Sequence, residues 1–218
     1  MIMDIEEYRK QFIDELRFNA EHEGTEPETQ FIEKSLSDLE EIGELNDPIP
    51  MSIEMRGSRN RLLAFDAYAY DEADGALILI ASDFTNERDS TPTLTNSRIE
   101  DIYTHMLNFL DECVQGNICK YCDDSDPALI IANEFRKKIG KGMLSTEILR
   151  FKFFILSNAT LSKTVKNLSK PEFLGRPVEL NVWTLERFYQ TFTSNSSEII
   201  EIDTADFGCD GIQCLKAD

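Results

Sequence analysis

Residues 62–84 constrain the fold more than any other stretch: LLAFDAYAY and ALILIASDF, joined by DEADG, read as two strands and a turn. The first run alternates, with Leu63, Phe65, Ala67 and Ala69 on one face and Leu62, Ala64, Asp66, Tyr68 and Tyr70 on the other. The second is almost wholly apolar until Ser82 and Asp83. The Asp and Gly content of the linker makes the two runs antiparallel neighbours. Each strand nevertheless carries an aspartate. An ionised carboxylate inside a sheet is costly unless it is paired or bound to a cation, so Asp66 and Asp83 demand a reason.

Around this hairpin the periodicity predicts an α/β domain. Ile5, Tyr8, Phe12, Leu16 and Phe18 take helical spacing over residues 4–21. After GTEPET a second helix runs to about Ile42, with Thr25 or Glu26 as its cap, Pro27 in its first turn, and Phe31, Ile32, Leu36 and Leu39 as its stripe. A strand is expected at 51–57. A long helix from Thr95 to about Val114 presents Ile99, Ile102, Tyr103, Met106, Phe109 and Leu110, and Pro127 to Ile139 is a shorter helix capped by DDSDP. RFKFFILSN (150–158) is a short apolar run of the kind that occupies a sheet centre. RPVELNVW (176–183) alternates as a strand, Thr184 caps a helix to about Phe192, and EIIEID (198–203) reads as a last strand. The expected result is a single domain with a mixed sheet of five or six strands flanked by helices. It spans residues 1–208, and the tail 209–218 lacks the periodicity to close a fold and reads as a passage into further protein.

Charge is unevenly distributed. Residues 1–135 hold 31 acidic against 10 basic side chains, a net of −21, whereas 136–187 hold 11 basic against four acidic, a net of +7. The overall −19 argues against a surface built for nucleic-acid phosphates. The basic segment, with Lys137, Lys138, Lys141, Lys163, Lys166 and Lys170, is the one place where such contact is expected. No apolar run reaches the roughly eighteen residues of a membrane span. The acidic start MIMDIEEYRK is unlike a signal peptide, and the five cysteines fit a reduced cytoplasmic protein.

Three adjacent strands behind an acidic helix resemble the core of restriction-endonuclease-like nucleases. There, two or three carboxylates hold Mg²⁺, which polarises the phosphate and acidifies the attacking water, and a Lys two residues after the third-strand acid orients that water. Asp66 fits the first acid, Asp83 the second, and Glu33 the helix acid, so these three are the candidate catalytic and metal-holding residues. The Lys is absent: Thr85 stands in its place, and no Lys lies between Lys34 and Lys120.

A wider resemblance covers the chain from about residue 25 to its end. TQFIEKSLSDLEEIGELNDP, LLAFDAYAYDEADGALILIASDF, FFILSNATLS and GIQCLKAD are similar to the N-terminal domain of the abortive-infection phage resistance (AIPR) family. The resemblance implies the front part of a longer bacterial phage-defence protein, with its own C-terminal region as a partner and a nuclease-like fold. SDF where an active nuclease carries acid-x-Lys puts hydrolysis in question.

Other constellations carry less. Cys119 and Cys122 form a C-x-x-C beside Cys113, with Cys209 and Cys214 in the tail, but a zinc site usually shows two paired knuckles, so no zinc is expected. His105 flanks an apolar stripe and reads as a partly buried structural histidine. Two functional readings remain: a Mg²⁺-dependent nuclease acting on nucleic acid, and a non-catalytic interaction or sensing module of the same defence protein.

Overall fold

A computed structural model describes residues 4–140, 147–163 and 172–194. The expected strand at 198–203, the tail 209–218, Cys209, Cys214, Lys141, Lys166 and Lys170 lie outside the described residues.

The chain opens with helices α1 (Ile5–Glu23) and α2 (Pro27–Glu41), followed by strands β1 (Ile49–Arg56), β2 (Leu62–Asp71) and β3 (Ala76–Asp83). After the short β4 (Thr93–Leu94) come α3 (Asn96–Gln115) and α4 (Pro127–Ile139), then β5 (Arg150–Ser157). The chain continues through β6 (Thr160–Leu161), β7 (Glu172–Phe173), β8 (Arg176–Trp183) and α5 (Leu185–Ser194). Local chemistry explains the boundaries. Thr95 Oγ1 accepts the Arg98 amide at the start of α3, and Asp126 Oδ1 accepts the Ala128 amide ahead of Pro127 in α4. Gly24 and Gly116 end α1 and α3 in the left-handed conformation, where a side chain would be strained.

Six strands form one mixed sheet in the order β1-β2-β3-β5-β8-β7, and β4 pairs with β6 in a separate parallel ribbon. β2 runs antiparallel to both of its neighbours, whereas β3, β5 and β8 are parallel. The crossover from β3 to β5 is made by α3 and α4, which bury Ile99, Met106, Phe109 and Phe135 on one face with Leu77, Leu79, Phe151 and Phe153. α1, α2 and α5 cover the other face, where Phe12, Phe31, Leu36 and Phe188 meet Ile78, Ile80, Phe154 and Leu156. The result is a three-layer α/β/α sandwich. Phe153, Ile155 and Leu156 are 0% exposed and Phe154 2%, as their apolar run requires of a sheet centre.

Three local expectations are corrected. β4, β6 and β7 fall where no strand is expected, because two-residue strands have no period to reveal them. Phe18 is 69% exposed, whereas Ile13 and Arg9 are buried: the inner face of α1 is Arg9, Phe12, Ile13, Leu16 and Ala20. Most consequentially, β2 does not alternate throughout. Leu63 and Phe65 join the core under α3, but Ala67 and Ala69 join the opposite core while Tyr68 returns to the first. The side-chain sequence slips by one at Asp66. The cause is a bulge: Pro50 pairs with Ala67 and Ile53 with Phe65, so Met51 and Ser52 of β1 stand opposite Asp66 alone.

Candidate functional site

The bulge supplies the reason for Asp66. The β2–β3 ladder runs from Asp71↔Ala76 only as far as Ala67↔Ile80. Beyond it the Asp66 side chain takes over a backbone partner: Oδ2 accepts the Ser82 amide at 2.6 Å, and Oδ1 accepts Ser52 Oγ at 3.4 Å. Burial pushes the Asp66 carboxyl above its ordinary range despite these bonds, and Glu54 pushes it further in the same direction.

Where β2 parts from β3, a cleft of about 300 Å³ opens, lined by Asp66, Ser82, Glu28, Glu54, Arg98 and His105 among others. A neighbouring groove of about 400 Å³ shares Glu28, Glu54 and Asp66 and adds Glu26 and Glu33 over Pro50 and Met51. Glu28, in the first turn of α2, accepts Ser82 Oγ at 3.4 Å. Its carboxyl is raised by burial and by the charges of Asp66, Glu54 and Asp83, with the Ser82 bond in opposition. The His105 imidazole is held below its ordinary range by burial first, with Arg98 and Arg56 reinforcing and Asp101 and Glu54 opposing. It therefore sits in the cleft as a neutral ring at neutral pH.

The three acids picked out by the sequence do not converge on one point. Glu33 is exposed on α2; its Oε2 accepts Gln30 Nε2 at 3.2 Å, and it shares only the outer groove with Asp66. Asp83 follows Leu77, Leu79 and Ala81 onto the α3 side, where Oδ1 accepts Arg98 Nε at 2.8 Å and Oδ2 accepts Ser157 Oγ at 3.2 Å. Among the described residues, no three of His, Cys, Asp and Glu stand together as a group able to hold a metal ion. Thr85, in the position of the absent Lys, bonds through its backbone to Asn158. The cation beside Asp83 is thus Arg98 from α3, and the helix acid nearest Ser82 is Glu28 rather than Glu33. Neither stands at a motif spacing, although Glu28 directly after Pro27 was readable as a first-turn acid.

The basic segment is dispersed. Lys137 and Lys138 end α4 near the β2–β3 turn, with Lys138 Nζ 3.9 Å from the centre of the Tyr70 ring, far along the strands from Asp83. Lys152 is bound by Asp71 at 2.9 Å and Asp74 at 2.8 Å, and buried Arg176 donates twice to the Ile139 carbonyl. Lys163 is exposed just beyond β6. Cys113 is buried, Cys122 half-buried and Cys119 exposed, all as free thiols. No helix among the described residues is long and apolar enough to cross a membrane.

Fold and cleft define a three-layer α/β domain with a carboxylate-lined opening at the end of its antiparallel hairpin. The model of the abortive infection phage resistance protein N-terminal domain matches residues 31–190. The chain belongs to that phage-defence family. No curated protein and no solved structure matches it.

Proposed function

We propose that this domain serves its phage-defence protein as a non-catalytic interaction or sensing module on a nuclease-like framework. One observation carries the reading: both strand acids already hold protein partners, Asp66 the Ser82 amide and Asp83 the Arg98 guanidinium. A carboxylate that must bind Mg²⁺ and activate water does not keep a 2.8 Å ion pair to a neighbouring arginine without cost to metal affinity. The absent Lys, the acidic body and the internal pairing of Lys152 and Arg176 support the same conclusion. The partner is then the protein's own C-terminal region or a phage component.

A second reading has its own support. Glu28, Glu54 and Asp66 line one cleft, and burial first, then the charges of Asp66 and Glu54, raise the Glu28 carboxyl. That is the electrostatic condition a divalent cation would relieve, and it keeps Mg²⁺-dependent action on nucleic acid as the enzymatic alternative, with Lys137, Lys138 and Lys163 as phosphate contacts. Thermal unfolding of the protein in rising Mg²⁺ and Mn²⁺ separates the two. The interaction module shows no saturable shift, whereas a bound cation at a hundredfold excess over its Kd stabilises the fold by about 2.7 kcal/mol. Saturable stabilisation that disappears in Asp66→Asn would overturn the non-catalytic reading.

A further inference from the structure

The carboxyl end of β3 is held by α1, the N-terminal helix. Arg9 of α1 is 1% exposed, and it donates Nε to the Asn158 carbonyl at 3.2 Å, Nη2 to that of Thr85 at 3.4 Å and Nη1 to that of Arg88 at 3.5 Å. All three acceptors are neutral backbone oxygens. Asn158, itself 0% exposed, locks the same segment from below: its Nδ2 donates to the Thr85 carbonyl at 2.8 Å and its Oδ1 accepts the Thr85 amide at 3.0 Å. Further along α1, Arg17 Nε donates to Asn86 Oδ1 at 2.8 Å, and Asp14 receives Arg88 through both carboxylate oxygens, at 2.8 and 2.9 Å. The contacts with residues 85–88 cross 69 to 79 residues of sequence.

These bonds make each half depend on the other. If α1 lifts, the Arg88 carbonyl loses its Arg9 donor and that of Thr85 keeps only Asn158 Nδ2. If the segment lifts, a buried guanidinium is left with most of its hydrogens unsatisfied, a costlier state than either the closed or the fully opened one. Glu87 of the same segment offsets part of the burial, but desolvation still holds the Arg9 guanidinium below its ordinary range, so the closed state carries a desolvation cost. We propose that α1 and residues 85–88 form one cooperative strap across the carboxyl end of β3 and β5, which opens as a unit. The strap joins a helix that precedes the family-matched residues to a segment within them. It requires neither a metal nor a peptide in the cleft, so it stands apart from the proposed function.

Hydrogen exchange of the full chain, read by mass spectrometry, tests the strap. In Arg88→Ala, which removes only exposed ion pairs to Asp14 and Asp89, the amides of both 5–23 and 84–92 should exchange faster by the same factor, about two- to fivefold. Arg17→Ala should act in parallel. Arg9→Lys keeps the charge but loses the fork, and should accelerate both segments by about tenfold or more. The amides of β5 (150–157) should stay protected in the two surface variants. Acceleration confined to one segment would show that helix and loop open independently and would overturn the proposal. So would equal acceleration of β5 in the surface variants, because the opening would then be global.

Discussion

Replacing Asp66 tests whether its carboxylate is in place of a missing strand–strand bond. In Asp66→Ala the Ser82 amide loses its 2.6 Å acceptor at a half-buried position where β2 no longer runs in register with β3. An unsatisfied buried N–H costs about 1–3 kcal/mol. For a chain of this size each kcal/mol moves Tm by about 2–4 °C. Asp66→Asn keeps an oxygen facing Ser82. It gives up about 1 kcal/mol of charge assistance, and it also removes the ionised group that burial and Glu54 disfavour. These effects oppose each other, so Asn should lie within about 1 kcal/mol of the native protein at neutral pH, well above Ala. The pH dependence has a definite sign. The Asp66 carboxyl titrates above its unfolded range in the native state, so the folded protein binds more protons between the two values. Native stability should therefore rise relative to Asp66→Asn as the pH falls through that window. Urea unfolding of the three proteins at neutral pH and at about pH 4.5, just above the ordinary carboxylate range, measures both effects. An alanine variant as stable as the asparagine one, or a native protein that loses ground to Asp66→Asn on acidification, would refute the reasoning.

Two further substitutions probe the framework. Glu112 is 0% exposed and accepts Ser58 N at 3.0 Å, Arg61 Nη2 at 2.8 Å and Asn117 Nδ2 at 2.9 Å. Burial alone would raise its carboxyl, but the bonds from Asn117, Ser58 and Arg61 outweigh burial and hold it below the ordinary range. Glu112→Ala should cost about 3–5 kcal/mol in urea unfolding, because it strips partners from a buried network. Its depressed titration means that this contribution is present above the unfolded carboxylate range and is lost as pH falls through the folded value; a variant whose deficit grows on acidification would contradict it. Phe153→Ala, at a fully buried position on the central strand, should cost about 3–5 kcal/mol by the same measurement. A loss under about 1 kcal/mol would mean that the core beneath α3 collapses around the gap.

The sequence by itself determined the long elements and the family. Apolar periodicity is a local property, so the long helices and strands fall close to where spacing puts them: α4 at Pro127–Ile139 and β8 at Arg176–Trp183 begin and end at the expected residues. The apolar run through Phe153 and Leu156 marked the sheet centre because it has no polar face to show to water. The wording of the hairpin and of FFILSN identified a phage-defence domain. Tertiary structure alone decided how the acids are used. Strict alternation put Asp66 opposite Phe65 and Ala67, but the extra residue in β1 shifts the register, and such a bulge arises from pairing between strands rather than from either strand's own pattern. Arg98 reaches Asp83 from α3, Glu28 displaces Glu33, and Arg9 enters the core, because side chains meet through the packing of elements distant in sequence. A charged residue in an isolated helix reads as solvent-facing; the backbone carbonyls brought in from 76, 79 and 149 residues away make burial of Arg9 tolerable.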